Sequence, residues 1–154
     1  MKEKPHGRDL RKGRTSLSGQ VYLVTAVASE RRPLIAGTKA GRIIVERMMH
    51  SDRTGDTQSL AFVVMPDHFH WLLVLSGDQS LSRVVGAVKR HSSRQINRLH
   101  GCPGRQVWQH GFHDHALRHD EDVAHVARYI IANPLRAGLV KRIGDYPLWD
   151  AVWL

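Results

Sequence analysis

Cysteine is almost absent: Cys102 is the only one in 154 residues. An internal disulfide is therefore excluded, as is any zinc site built from cysteine pairs, and a reducing, cytoplasmic location is the expectation. Long apolar runs are missing too. None reaches the roughly 20 residues that a membrane-spanning helix needs, and the basic, polar start lacks the apolar core of a secretory signal, so no membrane partner is expected. No internal repeat or low-complexity segment interrupts the chain. Acid is scarce, with 14 Asp and Glu against 23 Lys and Arg and a formal net charge of +9. That balance favours a polyanionic partner such as nucleic acid over an acidic small molecule, although charge alone does not separate DNA from RNA or a membrane surface. With 42% hydrophobic residues one core is well supplied, and the length calls for a single domain.

What the chain does contain is concentrated in one run, Val63-Val64-Met65-Pro66-Asp67-His68-Phe69-His70-Trp71-Leu72-Leu73-Val74-Leu75. Pro-Asp between two apolar stretches predicts a hairpin whose second strand opens His-Phe-His. Alternate residues of a strand share a face, so His68 and His70 point one way and Phe69 the other. Two imidazoles at that spacing suit one divalent ion, although the same pattern also describes two packed histidines. Leu72 and Val74 continue the histidine face, while Phe69, Trp71, Leu73 and Leu75 make the opposite face apolar. Such a strand is expected at the centre of a sheet, covered on both sides.

Residues 1–19 carry Lys2, Lys4, Arg8, Arg11, Lys12 and Arg14 among glycines and serines. They are expected to form a flexible basic arm, leaving 20–154 as the domain. Gln20 to Ala28 is rich in β-branched residues and predicts the first strand. Thr38 is a candidate N-cap for a helix from Lys39 to His50, with apolar residues at 40, 43, 44 and 48. The polar stretch Ser51 to Thr57 reads as a turn, before strands near Ser59 to Met65 and His68 to Ser76. Ser80 to Leu99 is an amphipathic helix, with Leu81, Val84, Val85, Val88, Ile96 and Leu99 on one side and Arg83, Lys89, Arg90, Arg94 and Arg98 elsewhere. Those five cations are candidate phosphate contacts, against the alternative of a solvated surface.

Gln106 to Arg118 reads as broken extended structure containing a fourth strand. A last helix is expected from near Asp120 to Asn133, ended by Pro134. Val123, Val126, Ala127 and Ile130 form its apolar stripe, with Tyr129 and Asn133 together at the edge. The order strand, helix, strand, strand, helix, strand is that of a ferredoxin-like α+β domain, with two helices on one face of an antiparallel sheet. The third helix is left for the other face. If it crosses the histidines there, Tyr129 and Asn133 join them in one constellation.

Three stretches, MPDHFHWLLVL, WQHGFHDHALRHDEDV and ARYIIANPLRAGLV, resemble the single-tyrosine, IS200-like transposases of the HUH nuclease superfamily, particularly the REP-associated tyrosine transposases. The likeness runs from VYLVTAVASERRPLI to YPLWDAVWL and so covers most of the chain. It implies a ferredoxin-like fold with a C-terminal catalytic helix, and an enzyme that cuts and rejoins single-stranded DNA beside small hairpins. By resemblance the two motif histidines are His68 and His70, the nucleophile is Tyr129, and Asn133 completes the metal site. The tyrosine would keep the 5′ end as a covalent phosphotyrosine, conserving the bond for rejoining. Two histidines alone suit zinc as well, whereas the carbonyl of Asn133 and the resemblance favour Mg²⁺ or Mn²⁺. Two other readings stay open: a ferredoxin-like module that only binds single-stranded nucleic acid, and a metal phosphoesterase that uses water. Monomer and dimer are both open.

His110, His113 and His115, with Asp114, look like a second metal cluster, but a structural or DNA-contacting role is the expectation. Tyr22 and Tyr146 are expected to pack, as are Trp108, Trp149 and Trp153, whose alternative is stacking on bases.

Overall fold

The computed structural model describes residues 19–118 and 121–152. Most of the expected basic arm, the expected helix start at Asp120, and Trp153 lie outside the described residues. The described residues form five strands: β1 (Val21–Val27), β2 (Thr57–Met65), β3 (His68–Leu75), β4 (His113–Ala116) and β5 (Trp149–Ala151). Four α-helices, α1 (Thr38–Arg53), α2 (Leu81–His100), α3 (Val123–Ile131) and α4 (Asn133–Arg136), and two short 3-10 helices (Ser29–Arg31 and Ile143–Asp145) accompany them there. The strands make one antiparallel sheet in the order β4-β1-β3-β2-β5. The first four have the order of the ferredoxin-like βαββαβ unit, as expected, and β5 extends the β2 edge.

Period-two alternation in β3 divides the interior. Phe69, Trp71, Leu73 and Leu75 pack with Ile44 and Met48 of α1 and with Leu81, Val84, Val85, Val88 and Ile96 of α2. Leu72 faces the other way, into a smaller cluster with Val63, Met65 and the α3 residues Ala127, Ile130 and Ile131. Two helices therefore cover one face and α3 covers the other. The strand is central and buried on both sides because its sequence leaves neither face polar enough for water.

Local boundaries depart from the sequence reading where capping and backbone geometry intervene. Thr38 is the first residue of α1 and not its cap; Gly37 precedes it at φ 90°, a conformation that favours glycine. That helix also runs on to Arg53. The stretch expected as a turn up to Thr57 gives way to β2 at Thr57 itself because Asp52 Oδ1 accepts from Thr57 Oγ1 (2.7 Å), Ser59 N (3.1 Å) and Ser59 Oγ (3.0 Å). These bonds hold the strand where its pairing with β3 shifts register between Ser59 and Ala61. Ser59 Oγ also accepts from the buried Trp71 Nε1 at 2.8 Å, so one carboxylate ties α1 to β2 and, through Ser59, to β3.

The last helix is split where one continuous piece was expected. Asp122 caps α3 by accepting from His125 N at 3.2 Å, and the helix stops at Ile131. Pro134 has no N–H to continue the ladder, but its fixed φ suits a first helical turn, so α4 restarts at Asn133. The strand β5 has only three residues and was not foreseen. No helix among the described residues is long and apolar enough to cross a membrane.

Replacing Asp52 with Ala takes the shared acceptor from Ser59 N, Ser59 Oγ and Thr57 Oγ1, the last of which keeps Ser51 Oγ at 2.9 Å. The expected cost is about 1–3 kcal/mol, read as a lowered midpoint in urea unfolding followed by tryptophan fluorescence.

Candidate active site

Strand β3 presents His68 and His70 on the α3 side, with ring centroids 4.9 Å apart and planes nearly perpendicular. Each ring is held at Nδ1. Asp67 Oδ1 lies 2.7 Å from His68 Nδ1, and Thr25 Oγ1, brought opposite by the β1–β3 register, lies 2.8 Å from His70 Nδ1. A carboxylate can only accept, so His68 donates from Nδ1 to Asp67, which leaves Nε2 as the nitrogen that a metal would use. The hydroxyl of Thr25 can accept in the same way, which orients both rings as metal-ligating histidines are usually oriented.

Asp67 is itself braced by Arg31 at 3.2 Å, a residue in the left-handed region at φ 53°. Burial tends to raise the Asp67 pKa, but the His68 hydrogen bond and the charges of His68 and Arg31 outweigh it and hold the carboxyl below its usual range. Burial pushes His70 down to about 4, helped by the charges of His68 and Arg136, so His70 is neutral at physiological pH.

Tyr129 and Asn133 are brought to the same side of the sheet. The apolar stripe of α3 seats on Val63, Met65 and Leu72, leaving Tyr129 at its edge with 61% of its surface exposed. Arg136 was missed in the sequence. Its guanidinium carbon lies over the Tyr129 ring, 4.0 Å from the centroid, and its Nη2 donates to Asn133 Oδ1. It is also close enough to His70 to oppose that ring's protonation. The residue stands inside ARYIIANPLRAGLV, but a helix expected to end at Asn133 left no reason to place its side chain on this site.

Among the described residues no three His, Cys, Asp or Glu side chains converge to hold a metal, and the oxygen-bearing candidate named by the sequence is the amide of Asn133. Its Oδ1 is a chemically suitable donor.

The five cations of α2 lie elsewhere. Because α2 packs on the Phe69 and Trp71 face, its arginines are on the side of the sheet away from the histidines. Arg83 and Arg90 share a groove of about 590 Å³ with Arg47, His50 and His91. Arg94 and Arg98 line a neighbouring hollow with Arg90 and Arg105. Arg47 Nε is buried without a partner, and His91 is held below its ordinary pKa by desolvation and then by Arg47, Arg90, Arg94 and His50. Lys89 instead donates to the carbonyl oxygens of Gln109 (2.9 Å) and Gly111, pinning the loop before β4.

Several of the remaining aromatic and histidine candidates have structural partners, while His110 and His113 are exposed. Tyr22 is in the core, Tyr146 Oη donates to Val64 O, Trp108 Nε1 to Ser92 Oγ and Trp149 Nε1 to Ile143 O. His115 Nε2 meets the Glu121 carboxylate at 3.0 Å, and His113 pairs across from Thr25 in β1.

Residues 16–133 match the family model described as "Transposase IS200 like". The REP-associated tyrosine transposase of Escherichia coli (strain K12) is 34% identical over 88 residues, covering 56% of this chain and 50% of that protein. A solved structure of a REP-associated tyrosine transposase bound to a REP hairpin is 26% identical, with a TM-score of 0.69 over 97% of this chain and 82% of that one. The chain spans about half the length of the curated relatives it matches.

The burial of His70 has a pH signature in the metal-free protein. Between its ordinary pKa of 6.5 and about 4 the unfolded ring takes up a proton that the folded ring refuses, so stability falls as pH drops through that window. Imidazole NMR should show His70 neutral down to about pH 4, and a His70→Gln variant should lose part of the slope of stability against pH. Titration of His70 near 6.5 would contradict the buried geometry.

Proposed function

The chain belongs to the IS200-like transposase family, and we propose on that footing that it is a metal-dependent strand transferase acting on single-stranded DNA beside small hairpins. The observation that carries this reading is the gathering of His68 and His70, each oriented through Nδ1, with Tyr129 and Asn133 on one face of the sheet. The domain is assigned to 20–154, and a cytoplasmic location suits such an enzyme.

Each residue has one task. His68, His70 and Asn133 would hold Mg²⁺ or Mn²⁺, which two imidazoles and an amide oxygen fit. A bound ion would neutralise the non-bridging oxygens of the phosphate. Tyr129, exposed to solvent, attacks phosphorus with its phenol oxygen; the bond to the 3′ oxygen breaks, that oxygen leaves as a hydroxyl, and the 5′ phosphate stays on the tyrosine. Attack by a 3′ hydroxyl then reverses the step and rejoins the strand. Asp67 and Thr25 keep the histidines in register for this task.

Arg83, Arg90, Arg94 and Arg98 would contact phosphates of the duplex part of a hairpin, and the hairpin in the related complex supports that class of partner. Lys89 belongs to this group by charge and also anchors the loop before β4.

Tyr129→Phe removes one oxygen and little packing. With a hairpin oligonucleotide carrying label at the 3′ end, the wild type should give a denaturation-resistant protein–DNA adduct and the Phe variant none. His68→Ala or His70→Ala should abolish cleavage while retaining much of the binding. Cleavage by the Phe variant without retained label would instead establish a water nucleophile, and no cleavage by any form would leave a binding module.

Binding should also weaken steeply with salt. Each arginine of α2 replaced by Ala should reduce the log-log salt slope by roughly 0.7 to 0.9 if it contacts a phosphate. An unchanged slope removes that residue from the DNA surface.

A further inference from the structure

Arg136 holds the nucleophile and the amide together, yet it is exposed and, among the described residues, no carboxylate pairs with it. Its partners are a π face and the carbonyl oxygen of Asn133. Neither is an anion, and these two contacts occupy only part of its five-donor fork. Any phosphate that Tyr129 attacks must come within bonding distance of that tyrosine, whose ring lies under the guanidinium at 4.0 Å.

We propose that Arg136 binds the phosphate under attack and is parked on Asn133 Oδ1 until that oxygen is needed by the metal site. The proposal rests on the strand-transfer reading for the role of Asn133. Asn133 cannot serve a divalent cation and a guanidinium at one oxygen without strong repulsion between the two cations. Loading the site therefore frees Arg136 from Asn133. The planar fork can then turn to two phosphate oxygens while its stem stays beside the Tyr129 ring. In the absence of DNA, Arg136 competes with the metal; with DNA present the phosphate takes up the released charge, and the two cations act together. Cation and DNA should thus load cooperatively.

The test uses the full chain and Mn²⁺, followed by electron paramagnetic resonance, alongside adduct formation on the hairpin oligonucleotide. Without DNA, Arg136→Ala should bind Mn²⁺ several-fold more tightly than the wild type, and the gain should vanish when Asn133→Ala is added. With DNA, the same variant should form adduct on the order of 100-fold more slowly, the loss typical of removing one donor to a developing oxyanion. Millimolar guanidinium should restore part of that rate, which a merely structural role would not permit. Arg136→Met, which keeps the stem over Tyr129, replaces Arg136→Ala if thermal melting shows that the Ala variant does not fold. Unchanged or weaker Mn²⁺ binding in a folded variant, or adduct formation at the wild-type rate, overturns the proposal. Absence of adduct in the wild type would defeat the strand-transfer reading instead, and the Mn²⁺ competition would still decide the place of Arg136.

Discussion

An extended chain can show a side chain to one face of a sheet only by showing its neighbour to the other, and in β3 this restriction decides both the interior and the site. Phe69 and Trp71 fill the space under α1 and α2, which obliges His68 and His70 to look toward α3. Neither set can move without the other. A one-residue slip of register would bury two imidazoles under the paired helices and turn an indole to the opposite side. The pairing of β3 with β1 adds the second half of the restriction, because it sets Thr25 beside His70, and the Pro66-Asp67 turn sets Asp67 beside His68. The ring orientations follow from backbone pairing and not from any adjustment at the site.

The same division explains how charge and chemistry are distributed. The basic helix supplies the larger core with Leu81, Val84, Val85, Val88 and Ile96, so its arginines can only emerge on the side away from the histidines. A single DNA molecule touching both regions would have to pass an edge of the sheet. The groove between α1 and α2 gathers Arg47, Arg83, Arg90, His50 and His91 against the carboxylate of Asp56, and His91, desolvated and facing several of these cations, is depressed; such an excess of positive charge favours an anion.

Much of this was legible because strong periodicities are local. The alternation in β3, the stripe of α2 and the Pro-Asp turn each depend on residues within a few positions, and the structure has them where the sequence put them, except that Leu99, expected on the apolar side of α2, is 43% exposed in its last turn. The unforeseen parts have non-local causes. Asp52 draws Thr57 and Ser59 into the sheet from the end of the preceding helix, which no propensity at Thr57 reveals. The three residues of β5 pair with β2 only because the chain has returned to that edge. Tyr129 and Asn133 were expected side by side, yet Arg136, which touches both, lay past a proline that was read as an end when its fixed φ in fact begins the next turn. A side chain that reaches back over such a break carries no periodic signature.

The segment bearing Tyr129 is moored at both of its ends to the sheet it covers. Before α3, Leu117 N bonds to Val21 O beside the β4 edge; after α4, Leu148 O accepts from Val64 N and Tyr146 from its hydroxyl grips Val64 O, while β5 closes the β2 edge. The helix is thus a span with abutments on opposite margins of one platform. On the proposed strand-transfer reading, a DNA end carried on Tyr129 would travel with that platform, and an exchange of partners would fall to the free strand and its hydroxyl.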